Sequence, residues 1–317
     1  MSIFKHSFDT LEEEALETVK SYFKACECHT ATCTFLANYA WRDNYDLRCE
    51  EIGEFLCVSG QIKGDDEANP IMLLPMAKDG SWSDAAYRDV ILEAKRRYEA
   101  EGHRLHIVSM SAEEKDFLES IFPGQMEFHH DEDLDEYVYL KDKLITLSGR
   151  ALHKKKNHMN YFLKTYDYTV KDITPDMTEE VMSFVTSHKI EKDAEGEELE
   201  SLHAEEDAIR RYLAHTEEED VYSVAIYIGG ELVAIALGER LNHNTAAEHF
   251  EKADDDYRGL YQVICSEFCK RLPEEIVYVN REEDMGLENL RKAKEALRPD
   301  HKEVKYGGCF FSSNEIE

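Results

Sequence analysis

The 317-residue sequence lacks any run of apolar residues near the roughly 20 that a membrane-spanning helix needs, and its first residues are too charged for a signal peptide. We therefore expect a cytoplasmic chain without stable membrane insertion. Basic residues are scarce, since 37 Lys and Arg stand against 68 Asp and Glu, for a net charge of −31. Such a surface repels nucleic-acid phosphates and anionic lipids, so a polyanion must dock at a local positive island.

Paired cysteine motifs of the kind that bind structural zinc are absent as well. Cys26, Cys28, His29 and Cys33 cluster in sequence, but no second ligand pair lies near them. In a chain of this length we interpret the eight cysteines as reduced thiols and expect neither a metal nor disulfides. Walker-type loops and Ser-His-Asp or Cys-His nucleophile patterns are also missing.

The sequence does contain enough apolar residues for two domains. Hydrophobic residues make up 42% of the chain, and its length exceeds what one core usually organises. Hairpin, helix, strand, helix and strand are predicted in this order in each half, which indicates one topology used twice. The first half closes with a strand near 137–140 and the second with a strand near 304–311. Between them, 144–168 predicts a helix that bridges packed domains.

Local signals support several of these elements. Ser83 or Asp84 is expected to cap a long helix, and Ser111 with Glu114 has the spacing of a capping box. Gly229–Gly230 lies between two β-rich runs and predicts a tight hairpin. A polar loop around 63–69 is expected to join two strands of the first half.

Three phrases resemble one known family: YVYLKDKLITLSGRALHKKKNHMNYFLKTY, HFEKADDDYRGLYQVICSEFCKR and YVNREEDMGLENLRKAKEALRP. They are similar to stand-alone cytoplasmic relatives of the C-terminal domain of phosphatidylglycerol lysyltransferase. The resemblance implies an α+β fold of two tandem GNAT-like acyltransferase domains, each a mixed sheet flanked by helices. The expected boundaries are an N-terminal domain at 1–143, a basic bridging helix at 144–168 and a C-terminal domain at 169–317.

The resemblance also implies a function. We expect an acyl- or aminoacyl-transferase that moves an acyl group from a phosphate-bearing donor to an amine or hydroxyl acceptor. The family implies aminoacyl-tRNA as donor, which so acidic a chain would have to bind chiefly through the acceptor end. Two alternatives stay open: a coenzyme A-dependent N-acetyltransferase using acyl-CoA, and a non-catalytic anion-binding protein on the same fold. No cofactor other than such a donor is expected.

A basic island lies between Asp142 and Asp167, where the sequence has no Asp or Glu. In an acidic chain such an island concentrates positive potential and would attract a phosphate-bearing donor. The alternative is a solvated helix face that pairs with the acidic surface. The candidate donor-binding residues here are Arg150, Lys154, Lys155, Lys156, Asn157 and His158.

Transfer chemistry needs a base for the acceptor and a hydrogen-bond donor for the leaving group. Glu251 is the candidate base and Tyr261 the candidate donor. His249, expected on the same strand face as Glu251, is a further catalytic candidate. Arg258 and Gly259 lie in the loop that would cradle a phosphate at a helix start, although one glycine stands where GNAT loops usually have several. The alternative for Glu251 is a structural ion pair, for instance with Arg281.

A second polar segment follows the strand that ends at Asn280, a position where open α/β sheets tend to bind ligands. Arg281 could grip a carboxylate or phosphate with two N–H groups, and Arg291 and Lys294 add positive charge on the next helix. The alternative is that these cations neutralise the acids 282–284. We expect the donor where the basic island meets this segment.

Overall fold

The computed structural model describes residues 3–61, 69–81, 83–190 and 197–311. The α-helices along these residues are α1 Glu13–Ala25, α2 Phe35–Trp41, α3 Asp84–Ala100, α4 Ala112–Ile121, α5 Lys141–Thr146, α6 His153–Thr165, α7 Thr178–Ile190, α8 Glu197–Leu213, α9 Leu260–Arg271 and α10 Glu288–Glu295. The strands are β1 His6–Ser7, β2 Arg48–Ile52, β3 Phe55–Gly60, β4 Ile71–Leu73, β5 Met76–Ala77, β6 His106–Met110, β7 Met126–His130, β8 Glu136–Leu140, β9 Tyr168–Lys171, β10 Val221–Ile228, β11 Glu231–Arg240, β12 Thr245–Ala253, β13 Tyr278–Asn280, β14 His301–Glu303 and β15 Tyr306–Phe310. The predicted loop at 63–69 lies almost wholly outside the described residues.

Local sequence signals explain where several elements begin and turn. The Ser83 side chain accepts a backbone hydrogen bond and caps α3, as predicted. Ser111 and Glu114 form the predicted capping box at the start of α4. Gly229–Gly230 joins β10 to β11 with φ of 61° and 93°, the conformation that a two-residue hairpin loop requires and that glycine adopts without strain.

The chain forms two compact units, and the second is inserted into the first. The first unit runs to Asp135 and resumes at Glu303, whereas the second is the continuous segment Glu136–Lys302. The expected boundaries at residues 143 and 168 differ from this division. The difference arises because β8 and the helices that follow it pack with the second sheet.

Both sheets are mixed and share one strand order. The first follows β1-β2-β3-β4-β6-β15-β7, with β5 paired to β3, and the second follows β9-β10-β11-β12-β13-β8-β14. In each, the fourth and fifth strands of this order are parallel, namely β4 with β6 and β12 with β13, and the strands before them are antiparallel. The repeated topology that the element order predicts is therefore present.

The sixth strand of each sheet comes from the other half of the sequence. β8, predicted to close the first half, pairs with β13 in the second sheet. β15, predicted to close the second half, pairs with β6 and β7 in the first sheet. The prediction that each half closes its own sheet is wrong, because a strand's side-chain alternation specifies its buried face but not its partner.

The predicted bridging helix at 144–168 is also corrected. Leu147 ends α5 with a φ of 46°, and Gly149 follows with a φ of 102°, so the segment breaks into α5 and α6. Both helices belong to the second unit, where Phe162 and Leu144 are buried in the core with β10, β11 and α9. Among the described residues, no helix is long and apolar enough to cross a membrane.

Candidate functional site

A bulge in β12 determines which side chains meet. The pairing of β12 with β11 shifts by one residue between Phe250 and Glu248, so His249 is the extra residue. Because side chains alternate along a strand, this extra residue brings Glu248 and Glu251 to one face. The prediction that His249 shares a face with Glu251 is wrong for the same reason.

Gly238 lies on β11 where that strand faces the bulge. A Cβ at this position would lie 2.1 Å from the carbonyl oxygen of Ala247 and 2.7 Å from the ring of Phe268. No larger residue fits without moving backbone atoms. The glycine thus allows β11, β12 and α9 to approach one another closely at the site.

Arg281, the residue after β13, contacts both carboxylates of this face. Its Nη2 lies 2.8 Å from Oε2 of Glu251, and its Nε donates a hydrogen bond to Oε2 of Glu248. The exposed fractions of the Arg281, Glu251 and Glu248 side chains are 14%, 12% and 1%. The sequence offered an ion pair between Arg281 and Glu251 as a structural alternative, and this ion pair is present. Arg281, however, contacts two buried acids with one positive charge.

The surplus negative charge favours a bound proton. Burial raises the pKa of Glu251 to about 8, and Glu248 adds to the shift while Arg281 opposes it. A carboxyl group with this pKa exchanges its proton near neutral pH. Oxygens of both carboxylates and the Cys265 Sγ lie within 4.8 Å of one another, a grouping that could hold a cation, but Arg281 already supplies the positive charge there.

His249 lies between two other carboxylates. Its Nε2 is 3.1 Å from Oε1 of Glu239, and its Nδ1 is 2.7 Å from Oε1 of Glu282. Burial lowers its pKa, but the two carboxylates outweigh burial and raise it to about 10. A doubly protonated imidazole has no lone pair left to accept a proton. At neutral pH His249 is a buried cation that joins β12 to the loop after β13 through Glu282, and this environment does not suit a catalytic base.

Lys294 of α10 holds the loop that follows Arg281. Its ammonium group donates to the carbonyl oxygens of Arg281, Glu282 and Glu283 at 2.5, 3.1 and 2.5 Å. Burial lowers its pKa to about 8. Because an ammonium group has three protons and three protein acceptors surround it, Lys294 orients this loop and does not reach a ligand.

Two further predicted ligand-binding residues have structural partners. Asn280 is fully buried, donates to Oε2 of Glu136 at 2.6 Å and accepts from the Glu282 N–H at 2.9 Å. Arg291 donates to both oxygens of Asp284 at 2.9 and 2.8 Å. Arg291 therefore neutralises Asp284, in agreement with the alternative interpretation that cations pair with the acids 282–284.

The start of α9 lies against α6. Gly259 caps α9 with a φ of 96°, and a Cβ there would lie 2.2 Å from the carbonyl oxygen of His158. Burial and the nearby cations Arg258 and Lys155 lower the pKa of His158. Burial and the charges of Lys154 and Arg281 lower the pKa of Lys155. The contact at Gly259 thus brings α6 against the N-terminus of α9.

Tyr261 lies in the first turn of α9 and is 40% exposed. Partial burial, Asp255 and Glu251 raise its pKa to about 12. Its hydroxyl group therefore keeps its proton at neutral pH and lies within electrostatic reach of Glu251. The structure thus pairs the candidate base with Arg281 and places the candidate hydrogen-bond donor in the first turn of α9.

Comparison with known proteins relates this geometry to a family. The family model described as phosphatidylglycerol lysyltransferase, C-terminal, matches residues 27–307. The chain belongs to this family.

Solved structures resemble this family member over nearly its whole length. A conserved Bacteroides thetaiotaomicron protein of unknown function is 27% identical, with a TM-score of 0.83 over 95% of this chain and 98% of that one. The C-terminal domain of a putative lysylphosphatidylglycerol synthetase from Agrobacterium fabrum is 13% identical, with a TM-score of 0.62 over 95% and 93%. A curated relative, an uncharacterized protein of Mycoplasmoides gallisepticum, is 25% identical over 165 residues, so the match spans 52% of that protein.

Membership of the phosphatidylglycerol lysyltransferase C-terminal family confirms the predicted fold of two GNAT-like domains, each a mixed sheet flanked by helices. It also makes the chain a protein of the acyl- and aminoacyl-transferase-like kind.

Some predicted residues of this family member stay predictions. Arg150, Lys154 and Asn157 are exposed, and Lys156 is half-buried. Glu248 was missed, since regular alternation would place it opposite to Glu251. A bulge leaves little trace in sequence, and the only available signal was the dense charge of the phrase EHFEK.

Proposed function

We propose that the chain is an acyl- or aminoacyl-transferase whose reaction centre lies in the second unit at Glu251, Tyr261 and Arg281. The observation that carries the proposal is the protonatable Glu251, with a pKa of about 8, whose carboxylate lies 2.8 Å from Nη2 of Arg281. Efficient general bases have a pKa near the working pH. The carboxylate of a surface ion pair, in contrast, would not retain a proton near neutral pH.

In the proposed reaction, the acceptor amine or hydroxyl attacks the carbonyl carbon of the donor while ionised Glu251 takes its proton. The oxyanion that forms then collapses, the bond to the leaving oxygen or sulfur breaks, and Tyr261 supplies a proton or hydrogen bond to the leaving group. The proton held by Glu251 returns to solvent or to Tyr261, which restores the starting state.

The donor is proposed to carry phosphate. His158 of α6 lies against Gly259 at the start of α9, Arg258 precedes that glycine, and backbone N–H groups and the helix dipole at a helix start attract anions. Membership of the lysyltransferase family favours aminoacyl-tRNA, held through its acceptor end because the net charge of −31 opposes wide contact with nucleic acid. The GNAT-like fold keeps acyl-CoA as the second candidate.

Calorimetry with coenzyme A and with acceptor-stem RNA, each at low and high salt, identifies the donor class. We expect binding that weakens with salt and falls further when Lys154, Lys155 and Lys156 are changed together to Gln. The matched control is Lys292→Gln, an exposed lysine on α10. Unchanged affinity in the triple variant would remove α6 from the donor site.

Turnover of the reactive donor in Glu251→Gln tests the chemistry. Glutamine has the shape of a protonated carboxyl group, so the variant should fold as the wild type does and lose about 10²–10⁴-fold in rate. Tyr261→Phe should also be slower, whereas Glu288→Gln, at an exposed acid of α10, should not. A Glu251→Gln protein that unfolds easily but keeps full activity per folded molecule would make the residue structural. Binding without turnover in any variant would identify the non-catalytic alternative.

A further inference from the structure

Two histidines of the first unit face each other across one strand. His106 lies on β6 and His129 on β7, and β15 runs between these strands. Their Nε2 atoms are 3.2 Å apart and their ring centroids 4.9 Å apart. The two rings therefore converge from opposite sides on the same point above the middle strand.

Gly307 on β15 makes room for this convergence. It lies directly opposite His129 in the ladder, and a Cβ on it would be 2.2 Å from Nε2 of His129 and 3.0 Å from Nε2 of His106. A larger residue would therefore require these ring atoms to move. The close approach therefore depends on the small residue that β15 places between the two rings.

A distance of 3.2 Å suits two nitrogens bound to one metal ion. Zinc–nitrogen bonds of about 2.0–2.1 Å at a tetrahedral angle place two ligand nitrogens about 3.3 Å apart. We propose that His106 and His129 chelate a tetrahedral divalent cation of the Zn²⁺ class through their Nε2 atoms, with water at the remaining positions.

The surroundings allow a cation at this place. Arg104 is the nearby positive charge, but it contacts Oε1 of Glu127 at 3.4 Å and the carbonyl oxygen of Phe310 at 2.7 Å, which offset it. The net charge of −31 attracts cations in general.

The competing explanation is a hydrogen bond between two neutral imidazoles, one donating and one accepting. Titration calorimetry of the tag-free, reduced full chain with Zn²⁺ separates the two. We expect one site that loses at least about tenfold in affinity in His106→Gln and in His129→Gln. His103→Gln, at a half-buried histidine just before β6, is the matched control and should keep the site.

Gly307→Ala sharpens the test because it keeps both histidines and should nonetheless weaken Zn²⁺ binding. X-ray absorption of the zinc-loaded chain should count two imidazole ligands, and circular dichroism checks each variant for folding. Should Gly307→Ala not fold, the His129→Gln result decides. Equal Zn²⁺ affinity in wild type, His106→Gln and His129→Gln would overturn the proposal.

Discussion

The two units have the same strand order, but one cluster of buried charges in each has a different ratio of acids to cations. In the first, Glu50 contacts Lys5 at 2.8 Å and Arg97 at 2.9 Å, so one acid has two cations. In the second, Arg281 alone serves two buried acids, Glu248 and Glu251. Burial raises the pKa of Glu50, but Lys5 and Arg97 outweigh it and lower the pKa below its ordinary value. In the second unit burial prevails and raises the pKa of Glu251 to about 8. One topology thus yields a permanent ion pair in one unit and a proton-exchanging carboxyl in the other.

The largest expected difference follows from removing the arginine of each cluster. Arg281→Met leaves two buried carboxylates without a cation and should lower the free energy of unfolding by about 3–5 kcal/mol. Arg97→Met leaves Glu50 with Lys5 and should cost only about 1 kcal/mol. Urea unfolding followed by circular dichroism measures both. Equal losses would mean that the charge stoichiometry does not distinguish the units.

The second largest expected difference between the two units is the pH dependence of their stability. His249 has its pKa raised from the ordinary 6.5 to about 10, so its contribution is complete below about pH 6.5 and is lost as the pH rises to about 10. Glu50, with a lowered pKa, contributes above its ordinary value and loses that contribution as the pH falls. The alkaline loss, of the order of a few kcal/mol, should disappear in His249→Gln and persist in His243→Gln, an exposed control. A flat alkaline profile in the wild type would contradict the buried imidazolium.

The smallest expected difference concerns the segments that follow the fifth strand of each sheet. In the first unit that segment enters α4 through the Ser111 capping box, and Ser111→Ala should cost about 1 kcal/mol. In the second, Lys294→Met deprives three carbonyl groups of their donor and should cost about 1–3 kcal/mol. Lys292→Met, an exposed neighbour on α10, should stay within about 0.5 kcal/mol in thermal unfolding. A Lys294→Met protein as stable as this control would show that the loop after β13 keeps its conformation without the hydrogen bonds of Lys294.

The sequence correctly predicted those features that depend on interactions between neighbouring residues. The Ser83 cap, the Ser111 capping box and the Gly229–Gly230 hairpin depend on residues only a few positions apart, and each was predicted at its place. The sequence did not predict the partners of β8 and β15, because the pairing of strands from distant segments leaves no local signal in the sequence.

The candidate site shows the same limit. Glu251 and Arg281 were chosen from residue type and position, and the fold brings them into contact. Glu248 and the side-chain direction of His249 depend on a one-residue bulge, which a period-two pattern cannot reveal. The roles of Asn280, Arg291 and Lys294 depend on buried partners that only the folded chain supplies.

The exchange of β8 and β15 has a consequence for how the chain is made. All seven strands of the second sheet lie before residue 304, whereas the first sheet needs β15, which ends at Phe310. On a ribosome the second unit can therefore complete its sheet before the first, although the first begins to emerge earlier. Until β15 arrives, β6 and β7 present open edges, so the N-terminal unit is the part of a nascent chain most exposed to mispairing.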